Sequence, residues 1–149
     1  MIIRRADPKE SRILTDLAVV SEAFWGHDKK FIEKFRLIYN IKEDYIRNNP
    51  TFVLEKEEKI IGFYSLVENG KEVVLEYFYI DPGAIKKGYG NKMWDHLVDY
   101  CKNRGILEFQ YVAGKETRDF YEKMGAVIVG ETNSIINKDR RIDKWKMVL

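Results

Sequence analysis

Apolar positions recur along this chain with two different periods, and the changes of period mark out its elements. Ile2-Ile3-Arg4-Arg5-Ala6 opens with β-branched residues and reads as a short strand. Asp7-Pro8 then supplies a helix N-cap and a proline for the first helical position. Behind it Ile13, Leu14, Leu17, Val20, Ala23 and Phe24 recur at helical spacing. Gly26 interrupts the pattern, and Asp28 is placed to cap a second helix with Phe31, Ile32, Phe35 and Ile38 on one face. A shorter helical piece, Glu43–Arg47, stops before Asn48-Asn49-Pro50.

The middle of the chain changes period. Thr51–Lys56, Lys59–Val67 and Glu72–Ile80 are rich in β-branched and aromatic residues and predict three consecutive antiparallel strands. Glu57-Glu58 and Glu68-Asn69-Gly70-Lys71 separate them as hairpin turns. After Asp81-Pro82-Gly83 the loop Ile85–Gly90 runs into a helix with Met93, Leu97, Val98 and Cys101 on its inner face, ended by Gly105. Ile106–Val112 predicts a strand, Glu116–Met124 a short helix closed by Gly125, and Ala126–Gly130 and Lys144–Leu149 the last two strands. The order β-α-α-β-β-β-α-β-α-β-β describes one mixed α/β domain over residues 1–149, with no repeat or linker dividing it.

Composition narrows the function classes. The 149 residues are 45% hydrophobic and 34% charged, with a formal net charge of +2. That charge gives no ground to expect a nucleic-acid or membrane partner. The N-terminus does not read as a signal peptide, no stretch is long and apolar enough to span a bilayer, and the lone Cys101 cannot form an internal disulfide. A cytoplasmic location is the expectation. Two histidines and one cysteine, dispersed along the chain, predict no metal site. Cys101 reads as a core thiol, His96 as a residue on the outer face of its helix, and the basic pieces Lys138–Arg141 and Lys144–Lys146 as a solvated loop and strand face.

The chemistry concentrates in the strand–loop–helix segment from Leu75 to Leu97. A glycine loop emptying into a helix N-terminus leaves backbone N–H groups unpaired at the positive end of the helix dipole, which suits a phosphate or pyrophosphate. Gly88 and Gly90 let the backbone approach an anion, and Lys86 and Lys87 add positive charge. No Lys-Ser/Thr follows as in a P-loop, and Met93 stands where a dinucleotide fingerprint needs its third glycine.

The whole run Leu75-Glu76-Tyr77-Phe78-Tyr79-Ile80-Asp81-Pro82-Gly83-Ala84-Ile85-Lys86-Lys87-Gly88-Tyr89-Gly90 resembles the signature of the GNAT superfamily of acetyl-CoA-dependent N-acetyltransferases. Phe120-Tyr121-Glu122-Lys123-Met124-Gly125-Ala126 resembles a second element of that family, in the right order and after the following strand. Ala23-Phe24-Trp25-Gly26-His27 is similar to a stretch found in small bacterial and archaeal members of undefined substrate. Two positions depart from the family pattern. Ile85 stands where a Gln or Arg leads the signature, and Gly114 where an asparagine precedes the tyrosine by seven residues.

The resemblance implies a GNAT fold: a mostly antiparallel sheet of about seven strands flanked by about four helices. It implies acetyl transfer from acetyl-CoA to a primary amine of a small molecule or peptide, by direct attack in a ternary complex. A catalytically silent acyl-CoA-binding sensor or interaction module of the same fold is the alternative, and a homodimer is a common assembly of the fold. The cofactor would lie in a V between the fourth and fifth strands, touched by Phe78, Tyr79, Ile80, Ile85, Lys86, Lys87, Gly88, Tyr89, Gly90, Asn91, Gly114, Phe120, Tyr121 and Lys123. Only one face of the fourth strand is expected to line it. Glu76 is the candidate general base, with a solvated strand glutamate as the plain alternative. Tyr121 is the candidate acid for the coenzyme A thiolate, against a buried structural tyrosine. Trp25 is a candidate wall of the acceptor site and His27 a candidate to orient or deprotonate the amine, against a core tryptophan and a surface histidine.

Overall fold

A computed structural model describes residues 1–149. Seven strands form one sheet: β1 (Ile2–Arg5), β2 (Thr51–Lys56), β3 (Lys59–Asn69), β4 (Glu72–Ile80), β5 (Glu108–Ala113), β6 (Val127–Asn133) and β7 (Arg141–Val148). Five helices flank it: α1 (Ser11–Phe24), α2 (Lys29–Ile38), α3 (Glu43–Asn48), α4 (Tyr89–Asn103) and α5 (Arg118–Lys123). The fifth helix beyond the expected four is α3, the helical piece before Asn49-Pro50. The last two strands are longer than the sequence pattern predicts, because β6 and β7 pair with each other through polar as well as apolar positions from Val127↔Lys146 to Asn133↔Arg141. The predicted helix Glu116–Met124 divides into a 3₁₀ turn, Lys115–Thr117, and α5.

The sheet order is β1-β2-β3-β4-β5-β7-β6, and every neighbouring pair is antiparallel except β4 and β5. That parallel pair is joined in register only at Val74↔Gln110. Beyond this point the two strands part, and a wedge opens toward their C-terminal ends.

Two apolar cores lie on the two faces of the sheet. Met93, Trp94, Leu97 and Cys101 of α4 pack on Tyr64, Leu66, Leu75, Phe109 and Tyr111. On the other face Leu14, Leu17 and Ala18 of α1 and Phe31 and Phe35 of α2 pack on Val53, Phe63 and Tyr77. Leu75 and Tyr77, two apart in sequence, would share a face in a regular strand. They go to opposite cores because β4 carries a bulge: Leu75 pairs with Leu66 and Tyr77 with Ser65, which leaves Glu76 without a partner on β3.

The inner stripe of α1 is Leu14, Leu17, Ala18 and Ser21, while the predicted Ile13, Val20 and Phe24 are about half exposed. Small residues on this stripe bring the helix close to β4, where the Ser21 hydroxyl donates to the Ile80 carbonyl at 3.3 Å. Asp7 and Glu10 form a capping box ahead of α1, and Asp28 caps α2 by accepting from the Phe31 N–H at 2.7 Å.

Candidate active site

The wedge between β4 and β5 joins two cavities, one on each face of the sheet. The larger, about 590 Å³, is bordered by the start of α4, by α5 and by the end of α1. The smaller, about 400 Å³, is bordered by α2 and by the β6–β7 connection. Glu22, Leu75, Glu76, Tyr79, Tyr111, Val112, Ala113 and Gly114 line both, so the wedge is a passage through the sheet.

One end of the larger cavity is the N-terminus of α4. Gly88 is its N-cap at φ +82°, a left-handed conformation that glycine adopts without Cβ strain, and no side chain caps the helix. The first N–H groups of α4 therefore lack intrahelical partners. A Cβ on Gly88 would meet nothing within 4 Å, so this turn faces open space. A Cβ on Gly90 would lie 3.1 Å from the Phe120 ring, which packs against the helix start. Ile85, Lys86, Asn91 and Lys123 complete this end. Backbone donors, a helix dipole and two lysines fit the phosphates of a nucleotide-bearing cofactor.

Phe78, Tyr79, Ile80, Phe120, Tyr121 and Gly114 also border the larger cavity. Two predicted residues do not. Lys87 is outside its lining, and the Tyr89 hydroxyl turns away to accept from Lys56 Nζ at 2.7 Å. Phe78 and Tyr79 both border the cavity although they point to opposite faces of β4, contrary to the one-face expectation. Their strand has parted from β5, so its edge and both faces are bared to the passage.

Glu76 sits at the bulge, lines both cavities and pairs with no cation; its side chain is exposed to the passage, and the partial desolvation there beside Tyr39, Tyr45 and Tyr77 raises its carboxyl above the ordinary range. Tyr121 is 6% exposed, and burial, with the fields of Glu22 and Glu116, holds its phenol above its usual range. Trp25 borders the larger cavity from the α1–α2 turn and is 41% exposed, so it is not a core tryptophan. His27 stacks on Phe31 at 3.9 Å and borders neither cavity directly.

Several residues at the site carried no weight in the sequence reading. Glu22 accepts from the Tyr79 hydroxyl at 2.7 Å and faces His27 Nε2 at 3.4 Å. Burial raises its carboxyl, opposed by the Tyr79 hydrogen bond, His27 and Arg140. The signal was present: Glu22 follows Ala18 by four residues and so puts an acid beside the inner stripe of α1. Tyr111, on β5, faces Tyr121 with ring centroids 4.8 Å apart. Arg140 is not part of a solvated basic loop, since it donates to both oxygens of Glu116 at 3.0 and 3.1 Å and lies over the Phe31 ring.

His27, Glu22 and Glu116 bring possible ligand atoms within 4.8 Å of one another, so this histidine is not isolated as the sequence implied, and the Arg140 guanidinium already sits against Glu116. His96 is half-buried rather than on an outer face, with Nδ1 2.7 Å from the Tyr64 hydroxyl. Cys101 is fully buried in the α4 core. No helix is long and apolar enough to cross a membrane.

Comparison with known proteins places this geometry. The model of the acetyltransferase (GNAT) family matches residues 14–126. The chain is 25% identical over 134 residues to a 5-NmdU N-acetyltransferase of Pseudomonas phage PaMx11, covering 89% of this chain and 91% of that protein. It is 27% identical over 132 residues to the peptidyl-lysine N-acetyltransferase YiaC of Escherichia coli, covering 86% and 84%. Among solved structures it is similar to the PaiA N-acetyltransferase of Thermoplasma acidophilum in complex with coenzyme A, with a TM-score of 0.81, 18% identity and coverage of 99% and 98%.

Proposed function

The chain belongs to the acetyltransferase (GNAT) family, and from that premise we propose that it transfers the acetyl group of acetyl-CoA to a primary amine of a small molecule or peptide by direct attack. The observation that carries this reading is the passage between β4 and β5. It runs from the phosphate-binding start of α4 past Tyr121 and Glu76 to a separate cavity on the opposite face of the sheet.

In this reading the first N–H groups of α4, with Lys86 and Lys123, hold the cofactor's phosphates. The parted edge of β4 from Phe78 to Ile80 receives its amide arm, which then threads the wedge. Bound acetyl-CoA supplies the acyl thioester. Backbone donors compensate for Ile85 in place of a polar side chain. The Glu116–Arg140 pair occupies the volume that a side chain at position 114 would need, which accounts for Gly114.

The acceptor enters from the α2 face. Tyr39, Tyr77 and Tyr79 wall its cavity and Glu76 stands at the passage. Glu76 takes the proton of the incoming ammonium, leaving a neutral amine to attack. A carboxyl raised by burial is better matched to that task than an ordinary one, because its conjugate acid holds the proton more firmly. Trp25, expected to wall the acceptor site, instead borders the larger cavity from the α1–α2 turn and not the acceptor's. Tyr121 faces the departing sulfur from α5.

The test is release of coenzyme A thiol from acetyl-CoA against a panel of amines: diamines, amino acids, aminoglycosides and lysine peptides. Turnover that is lost in Glu76→Gln supports the reading. Tight acetyl-CoA binding with no turnover on any amine would refute the transfer and leave the silent binding module.

A further inference from the structure

The smaller cavity, on the α2 side of the sheet, is walled by aromatic rings. Phe31, Phe35 and Tyr39 follow one another at four-residue spacing, so α2 and its C-terminal end present them as one stripe. Tyr77 and Tyr79 of β4 line the same cavity. The rings form a continuous wall: centroids lie 5.0 Å apart for Phe35 and Tyr39, 6.2 Å for Tyr39 edge-on to Tyr77, and 6.5 Å for Tyr77 and Tyr79. Ile136 and Ile142, both buried, add the aliphatic part of the lining.

Charge is unevenly placed in this lining. Glu76 stands at the passage and pairs with no cation, with the rings of Tyr39 and Tyr77 beside it. Glu22 already accepts from the Tyr79 hydroxyl at 2.7 Å. Of the two cations, Arg140 is committed to Glu116 through hydrogen bonds of 3.0 and 3.1 Å, and Lys144 occupies an exposed position of β7. The free charge that a ligand meets at the passage is therefore the Glu76 carboxylate.

Arg140 also restricts what can enter. Its guanidinium carbon lies 5.6 Å from the centre of the Phe31 ring, so the β6–β7 connection is tied to α2 by this contact and to the segment after β5 by the Glu116 pair. At about 400 Å³ the cavity is at the small end for organic ligands.

We infer that the acceptor is an arylalkylamine, a primary amine on a short arm attached to one flat aromatic ring. This rests on the reading of the α2-side cavity as the acceptor site and names the class of amine it takes. The ammonium meets Glu76 and the faces of the neighbouring tyrosines, and the ring packs on the wall from Phe35 to Tyr79 in the offset and edge-on geometries that aromatic pairs prefer. The arm is short because Glu76 and Tyr77 are neighbours, which puts the charge site beside the ring site. A polyamine would leave its second ammonium among Phe31, Phe35, Ile136 and Ile142 without a free carboxylate. A lysine peptide would have to carry its backbone past the Arg140 ties.

The test compares acceptors in the coenzyme A release assay: benzylamine and phenylethylamine against n-butylamine, spermidine and a lysine peptide. For the aromatic amines kcat/KM should exceed that for n-butylamine by roughly 10- to 100-fold, the worth of burying one phenyl group, and should also exceed those for spermidine and the peptide. Tyr39→Leu removes a ring from the wall at a position that does not border the larger cavity. It should raise KM for benzylamine roughly 2- to 10-fold with kcat little changed, and leave acetyl-CoA affinity by calorimetry within about twofold. The wild-type ranking of acceptors needs no variant, so misfolding of Tyr39→Leu would leave the test intact. Transfer to n-butylamine, spermidine or the lysine peptide as efficient as transfer to the aromatic amines would overturn the inference and leave the proposed transfer standing. An unchanged benzylamine KM in folded Tyr39→Leu would do the same. Acetyl-CoA binding with no transfer to any of these amines would overturn both.

Discussion

Replacing Gly88 by glutamate is the sharpest perturbation of the phosphate-binding end. Gly88 sits at φ +82°, and a Cβ there meets nothing within 4 Å. The new side chain therefore enters the cavity without steric conflict, and the fold pays only for a left-handed non-glycine residue. That strain is about 1–2 kcal/mol, and Lys86, at φ +67°, shows that the same loop already holds one such residue. A chain of this length should then lose roughly 2–8 °C of Tm. The effect on binding is larger. A carboxylate about 6 Å from a phosphate charge, at an effective dielectric constant near 20, costs about 3 kcal/mol. At 1.4 kcal/mol per decade, acetyl-CoA affinity should weaken by about 100-fold. Gly88→Gln carries the same strain and nearly the same bulk without the charge and should retain most of the affinity. Calorimetric titration of both variants at low and high salt is the assay, and the difference between them should shrink as salt rises. Equal affinities for the wild-type and Gly88→Glu proteins would refute the placement of phosphates at the start of α4.

Tyr121→Phe should lower kcat roughly 100- to 10,000-fold with acetyl-CoA affinity nearly intact, and equal turnover in a thiol-release assay would retire its role. Glu76→Gln should abolish most turnover yet raise Tm at neutral pH. Its folded-state carboxyl is raised, so the native protein binds the proton more tightly than the unfolded chain, and stability falls as pH rises from the unfolded value through the folded one. The gain in Tm should therefore vanish below the ordinary carboxyl range, and a gain that persists there would count against the burial argument. Gly114→Asn should lower Tm by no more than about 2–4 °C, because its Cβ meets only the flexible ends of Arg140 and Glu116, which can swing aside. A much larger loss would show that the pair is held rigidly in place.

Much of this architecture is legible in the chain because local and tertiary preferences agree. The β-branched and aromatic runs of β2 to β4 form strands whose apolar side chains are needed in the two cores. The α4 start is legible because the glycine-bearing loop and the apolar helical stripe that follows it are local features of the sequence. The bulge at Glu76 is not legible, since it depends on register with β3 and on which core receives Leu75 and Tyr77. The grouping of Glu22, His27, Glu116 and Arg140 is likewise hidden, because it joins four segments that meet only when the wedge between β4 and β5 is built. Helical spacing misassigned Ile13, Val20 and Phe24 to the buried face of α1. Small and polar Ala18 and Ser21 take that face because the helix must approach β4 closely.

The central claim is that the passage between β4 and β5 binds acetyl-CoA with its phosphates at α4 and its acyl end at Glu76 and Tyr121. Isothermal titration of the wild-type protein with acetyl-CoA, with desulfo-coenzyme A and ATP as controls, tests it most directly. The account predicts saturable one-to-one binding of acetyl-CoA, comparable binding of desulfo-coenzyme A and far weaker binding of ATP, which lacks the arm that threads the wedge. Absence of acetyl-CoA binding, or ATP binding of equal strength, would contradict it.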